Sequence, residues 1–371
     1  MRALRVGFLV FVLWTPTPQN VSAQVPETPT PEEAAAAETA PLFSTHELLE
    51  ITLEADFHTI RREDRERDAE ERPAVIRWTE PGGTSGFQGM QIRTRGRFRL
   101  ERRNCDLPPL RLNIRRSEAD GTVFENQDKL KLVGVCKPNQ TYWEQYVYSE
   151  YLVYRAFNLL TPLSFRVRPV QVTYVDTSGE EDTLVKFGFL IEDNSRLAAR
   201  HGGWKRDWEA EMGQLDPRRL RQRHALIMEV FQYFMGNTEW SVAEVHNMEL
   251  LQFPAEPPVT VPFDFDFSGM VDARYATPHP EVGGRDVRKR TFRGFCADEM
   301  GRPPELYDEV FQLFRDKEEE FRQLWQTQEG LEEGTLRKAM DYMDDFFEII
   351  SDPDRIEAYM LRDCRGLRGG G

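Results

Sequence analysis

From Leu49 the chain alternates apolar and polar residues. Leu49, Ile51, Leu53, Ala55 and Phe57 are separated by Glu50, Thr52, Glu54 and Asp56. A period of two is that of a strand with one buried face. The same rhythm returns in Met90-Gln91-Ile92-Arg93-Thr94-Arg95-Gly96, in Leu110, Leu112 and Ile114 around Arg111 and Asn113, and in Leu130-Lys131-Leu132-Val133. Residues 167–175 and 184–191 predict two more strands joined by a Ser178-Gly179 turn. The Gly-rich run Pro81 to Gly86 reads as a hairpin loop. With Gly89 it fits neither the GxxxxGK[ST] nor the GxGxxG phosphate cradle.

Helical spacing enters at Thr141. Thr141 and Glu144 stand as in a capping box, which predicts a helix running to about Leu160 and stopping before Pro162. Tyr146, Glu150, Tyr154 and Phe157 fall on one face of it. Glu150 therefore lies in an otherwise apolar stripe, where a carboxylate needs a cationic partner. Asp216-Pro217 marks a second helix start, and Leu220, Ala225, Ile227, Met228, Val230, Phe231 and Phe234 give it a broad apolar face. Residues 276–293 read as a loop. Residues 305–326, 332–350 and 352–364 read as further helices.

Between these two regimes lies the chemically suggestive stretch, Gly236 to Gly269. It begins Gly236-Asn237-Thr238-Glu239-Trp240, passes through His246-Asn247, and closes Phe263-Asp264-Phe265-Asp266-Phe267-Ser268-Gly269. Oxygen donors alternating with aromatic residues at a strand end point to a hard cation. An EF-hand loop starting at Asp264 fails at its twelfth position, which is Tyr275 rather than Glu. A glycosyltransferase Asp-x-Asp would want a parallel βαβ context that the pattern lacks. His246 reads as a packing or capping residue, since nothing nearby in sequence pairs with it.

Composition changes this picture little. The 371 residues carry a formal net charge of −15, which argues against a general nucleic-acid binder. At the N-terminus, Arg2 and Arg5 precede the apolar run Val6 to Trp14, and Val21-Ser22-Ala23 offers a small-x-small cleavage pattern. Residues 1–23 are therefore expected to be a secretory signal peptide, followed by a flexible lead-in over 24–42. No later run is apolar and long enough for a membrane span, so an exported protein, periplasmic or secreted, is expected. In an oxidising compartment Cys105, Cys136, Cys296 and Cys364 default to two disulfides. Three pairings are open, and Cys105 with Cys136 and Cys296 with Cys364 is the most economical.

Taken in order, the β-rich half, helix, paired strands, long helix, Asn-bearing loop and Asp-x-Asp resemble the protein-kinase-like fold. The likeness is strongest to the CotH-type spore-coat kinase family and spans about residues 87–275. Asn237-Thr238-Glu239-Trp240, Asn247 and Phe263 to Gly269 carry it, and Gly188-Phe189-Leu190-Ile191-Glu192 looks like that family's strand into the hinge. The resemblance implies a two-lobed α+β fold: a β-rich N-lobe with one helix over 43–192, a mostly helical C-lobe over 193–365, and a tail over 366–371. It implies Mg2+ or Mn2+ with ATP, and a protein or small-molecule hydroxyl as acceptor. Asn247 and Asp264 or Asp266 would hold metal, and Glu239 would orient the acceptor. Lys131 paired with Glu150 would contact phosphate, in competition with Lys129 and Arg111, and Glu192 would border the cofactor at the hinge. Glu239 stands where the family usually has Asp, and ångström-scale misplacement of such a group costs on the order of 100-fold in rate. The expectation is thus an exported kinase-like protein; its alternative is an exported binding or envelope-structural protein without turnover.

Overall fold

The structure, a computed structural model, describes residues 28–62, 65, 69–208 and 213–366. The expected signal peptide lies outside the described residues, as does the tail beyond 366. Seven strands, β1 (Leu49–Ala55), β2 (Arg72–Thr79), β3 (Ser85–Thr94), β4 (Leu110–Ile114), β5 (Lys129–Val133), β6 (Val167–Asp176) and β7 (Leu184–Ile191), close into one barrel in the order β1-β2-β3-β4-β5-β7-β6. Neighbours are antiparallel except at the closing seam, where β1 runs parallel to β6 with Leu49 opposite Val170 and Ala55 opposite Asp176. A second sheet, in the order β10-β9-β8, is built from β8 (Trp204–Arg206), β9 (Met248–Gln252) and β10 (Val259–Pro262).

This corrects the expected two-lobed kinase-like fold. The β-rich half is a closed, mixed barrel, and the second half carries its own sheet. The physical reason lies in the seam. Alternation in sequence identifies strands with a buried face, and a closed barrel and an open sheet generate the same alternation. What decides between them is the β1–β6 pairing, a contact between segments more than a hundred residues apart. The strand β2 also escaped the pattern reading, although Ala74, Ile76 and Trp78 alternate into the barrel.

The barrel interior is filled by the inward set Leu49, Ile51, Leu53, Ile76, Ile92, Leu112, Leu130, Val172 and Leu190. On β7 the alternation serves two cores. Leu190 points into the barrel, while Phe187, Phe189 and Ile191 point outward into the larger core of the second half.

The helices in chain order are α1 (Pro31–Glu38), α2 (Phe57–Arg62), α3 (Arg116–Ala119), α4 (Tyr142–Leu160), α5 (Asn194–Ala199) and α6 (Gln222–Met235). They are followed by α7 (Ala297–Met300), α8 (Pro304–Asp316), α9 (Glu318–Gln326), α10 (Glu333–Ile350) and α11 (Pro353–Ile356). Within the stretch expected to be flexible, α1 forms behind a capping box of Thr30 and Glu33 and buries Ala37. The helix α4 lies against the outer face of β7. Its expected capping box does not form: Thr141 makes no side-chain cap bond, and Glu144 instead accepts from the Phe187 backbone N–H at 2.7 Å. Thr141 already has helical dihedrals, so its hydroxyl is not placed to cap. Asp216 caps a single 3-10 turn rather than the long helix, which begins at Gln222.

The helix α6 is buried along almost its whole length, with Phe234 ringed by Phe314, Phe321 and Phe346 from α8, α9 and α10. Glu229 on α6 takes a bidentate pair of hydrogen bonds from Arg302, both at 2.8 Å and both groups buried. The helix ends at Gly236 in the left-handed conformation, φ 64°. Two backbone bonds then tie the ends of the Gly236–Gly269 stretch together, Gly269 N–H to Gly236 O at 3.1 Å and Met270 N–H to Met235 O at 3.0 Å. A Cβ at either glycine would collide with the Tyr342 hydroxyl, so this closure requires glycine. Two disulfides are present with the economical pairing, Cys105–Cys136 and Cys296–Cys364. Among the described residues no helix is long and apolar enough to cross a membrane.

His224 on α6 is buried, with Nε2 3.1 Å from the Thr260 carbonyl of β10. Burial holds its pKa down to about 4. Between about pH 6.5 and about 4 the unfolded chain takes a proton that the folded ring refuses, so stability falls as pH drops through that window. Denaturation midpoints measured from pH 7 to 4 are expected to fall less steeply in His224→Gln than in the wild type. Parallel curves would contradict this account.

Candidate functional site

The site forms where three separate pieces of chain meet on the outside of the barrel: α4, the turn after β10, and the arm between β3 and β4. Glu150 comes from the middle of α4, and its side chain is buried. Asp264 and Asp266 come from the turn that β10 delivers. Asp264 adopts φ 64°, left-handed for a residue with a Cβ, and its N–H donates to the Tyr154 hydroxyl at 2.9 Å. Such a conformation costs of order 1–3 kcal/mol and persists only where surrounding structure enforces it. Val245 and Asn247, in the neighbouring loop, are left-handed as well.

The three carboxylates converge. One oxygen from each of Glu150, Asp264 and Asp266 lies within 4.8 Å of the others. Oxygen ligands at about 2.4 Å from one ion span at most about 4.8 Å, so the three oxygens lie within reach of one divalent cation once they draw in and Arg99 moves aside. In the structure their neutraliser is Arg99, on the 3-10 turn Phe98–Leu100 of the arm. Its Nη2 lies 2.5 Å from Asp266 and 3.2 Å from Glu150. Tyr275 donates to the same Asp266 oxygen at 3.0 Å.

The electrostatics follow from crowding and burial. Burial pushes Glu150 up to about 8; Arg99 pulls it back, and Asp266 and Asp264 push it further up. Burial also raises Asp264, with repulsion from Asp266 adding to it. For Arg99 burial works against the charge, but Asp266, Tyr275 and Glu150 outweigh it and hold the guanidinium firmly protonated. Arg99 bonds the cluster directly, while Arg95 and Lys131 also act on Asp264.

Cations gather beside it. Arg93, Arg111 and Lys131 stand directly opposite one another on β3, β4 and β5, and Glu249, Asp193 and Asp264 act on the Lys131 end of this row. The buried Nε of Arg111 has no hydrogen-bond partner. Lys131 lies between the Phe165 and Phe263 rings, at 5.5 and 4.9 Å, and donates to Asn194 Oδ1 at 3.0 Å. Burial, then Arg95, hold its pKa down to about 8. Arg95 is depressed by burial, while Asp264 acts to raise it.

The sequence-derived site residues thus separate into two groups. Glu150, Asp264 and Asp266 come together, with Lys131 nearby. Lys131 does not pair with Glu150, because Arg99 takes that place and Lys131 is spent on Asn194. Glu192 is not at the cluster. It is buried against Arg200 at 3.0 Å and accepts from the Arg166 N–H at 3.1 Å, a structural set of bonds. Asn247 gives its amide nitrogen to the Glu239 carbonyl at 2.8 Å. That bond joins the two loop residues to each other. The Glu239 N–H donates to Asn237 Oδ1 at 3.0 Å, and Glu239 is not among the converging carboxylates.

Sequence reasoning missed Arg99, Arg95 and Tyr275. A signal was available for the arginines: Arg93, Arg95, Arg97 and Arg99 recur at every second residue, with Arg102 and Arg103 following, in a chain of net charge −15. Tyr275, the residue that disqualifies an EF-hand, is the one that hydrogen-bonds Asp266. No known family model matches this chain, and no curated protein does either. The likeness to CotH-type kinases therefore rests on the short motifs alone.

Removing Arg99 would strand buried carboxylates, which typically costs about 3–5 kcal/mol. Arg99→Ala is expected to lower unfolding free energy by about that much, and Glu150→Gln added to it should restore part of the loss. Additive losses in the double variant, read by urea denaturation, would show that the groups do not share one network.

Proposed function

We propose that the protein is exported and binds a divalent cation together with a phosphate-bearing ligand, with a nucleoside triphosphate such as ATP as the ligand class. Glu150, Asp264 and Asp266 would hold the cation, in place of the Arg99 guanidinium. Arg99, Arg95 and Lys131 would then face the phosphates. The observation that carries this reading is the convergence of three carboxylates within 4.8 Å while several cations crowd the adjacent strands. Acids for a metal beside bases for phosphate are what a metal–phosphate complex requires. A bound divalent cation supplies neutralisation of phosphate oxygens. Export is supported by the disulfides and by the sequence pattern of residues 1–23.

Phosphoryl transfer to a hydroxyl is the reaction this reading extends to, with Glu239 as the acceptor-side carboxylate. A second reading, binding without turnover, has its own support. Glu239 lies outside the carboxylate cluster, and Asn247 is bonded to the Glu239 backbone.

Calorimetry separates these. Mg-ATP titrated into the wild type is expected to give a saturable, Mg-dependent heat, weakened at least tenfold in Asp264→Ala and Asp266→Ala. A titration without heat in the wild type would end the nucleotide reading. Transfer of labelled phosphate that disappears in Glu239→Ala would favour turnover; binding without transfer would favour the second reading.

A further inference from the structure

A polar cavity lies at the seam between the N-terminal segment, the C-terminal end of α4 and the start of β6. Its volume is about 360 Å³, within the range of small-molecule sites. Glu38 and His46 from the N-terminal segment, Asn158 from α4, Arg166 at the start of β6, and Arg200 and His201 after α5 line it.

Arg200 is locked to buried Glu192 at 3.0 Å and donates to Ser164 O at 2.6 Å. Arg166 is paired with Glu38, through Oε1 at 2.5 Å and the backbone carbonyl at 2.7 Å. Behind His46 stand two more guanidinium groups, Arg155 and Arg168. Arg168 is 2% exposed, and its bonds go to the neutral carbonyls of Leu42 and Thr45. Arg155 donates to the Tyr151 hydroxyl, and the Nε atoms of both Arg155 and Arg168 are buried without a partner. Arg166 and Arg200 are thus each paired with a carboxylate, and Glu47 and Glu80 offset Arg168. Among the described residues Arg155 makes no ion pair, and an anion in the cavity would relieve its charge.

The two ion pairs differ in how easily they yield. The Glu192–Arg200 pair is almost wholly buried. The Glu38 side chain is 56% exposed and that of Arg166 is 22% exposed, so their pair is a weak, water-screened one. Glu38 ends α1, so the chain's own carboxylate rests where an incoming one could replace it.

We propose that this cavity binds a small oxyanion-bearing molecule, phosphate or carboxylate, with Arg166 as its anchor and Glu38 as the internal competitor that it displaces. The site is separate from the carboxylate cluster and does not depend on a metal.

The test is calorimetry of the full chain in metal-free buffer, with inorganic phosphate and succinate as two separate probes. The variants are Glu38→Gln, Arg166→Gln and, as a control away from the cavity, the exposed Glu348→Gln on α10. Saturable binding by at least one probe is expected, and the probe that binds tells phosphate from carboxylate chemistry. Glu38→Gln should tighten binding at least threefold, Arg166→Gln should weaken it at least tenfold, and Glu348→Gln should leave it unchanged. The opposite signs are the deciding feature, because loss of a merely structural ion pair would move both variants the same way. Any other pattern overturns the proposal: no saturation by either probe even in Glu38→Gln, no tightening in that variant, or no weakening in Arg166→Gln. Thermal melts of both variants, expected near wild type for so exposed a pair, check that each is folded.

Discussion

The guanidinium of Arg99 is the interaction on which the arrangement of the candidate site depends. It reaches from the arm between β3 and β4 to a carboxylate on α4 and another beyond β10. Without it, three acids from two chain segments would face one another in a buried place, where mutual repulsion and desolvation act in the same direction. One residue therefore joins the barrel's arm to the helical half. The aromatic packing around it follows the same seam: Phe98, beside Arg99, contacts Phe267 and Tyr275, which flank the Asp266 turn. Charge and apolar contact register the same three pieces of chain.

The strands and the acids were legible in the sequence because each has a local signature. Alternation marked β1, β3, β4, β5, β6 and β7, and the Asp264–Asp266 spacing marked the turn that holds two of the carboxylates. Glu150 stood out as an acid in an apolar stripe, and the need for a cation beside it followed from burial alone. Which cation it is did not follow. Lys131 and Arg99 lie on different sides of the same surface, and only tertiary packing decides that Lys131 is taken by Asn194. Barrel closure was illegible for a similar reason, since the parallel β1–β6 seam leaves no mark on either strand's own pattern.

The motif resemblance and the architecture thus separate. Gly236 to Gly269 forms a closed excursion, with both ends joined by backbone hydrogen bonds and packed against Tyr342. Such a unit positions its acids by its own internal geometry. Asp264 is held left-handed inside it, and the cluster it makes with Glu150 requires only that α4 be presented at the right height. Short motifs of this kind carry information about a site while saying little about the topology that supports it.

The disulfide between Cys105 and Cys136 gives the arm a further property. It fastens the base of the segment carrying Arg99 to the strand end after β5, where Asp106 and Leu107 also bond to the Cys136 carbonyl and Arg65 holds the carbonyls of Leu100, Cys105 and Asp106. In a chain-entropy account a cross-link of this span removes about 3–4 kcal/mol of freedom from the unfolded ensemble. Where thiols stay reduced, the covalent fastening is lost, and the bonds of Arg65, Asp106 and Leu107 alone hold the base of the arm. The reach of the arginine over the carboxylates is thereby tied to the oxidation state of the surroundings in which the chain matures.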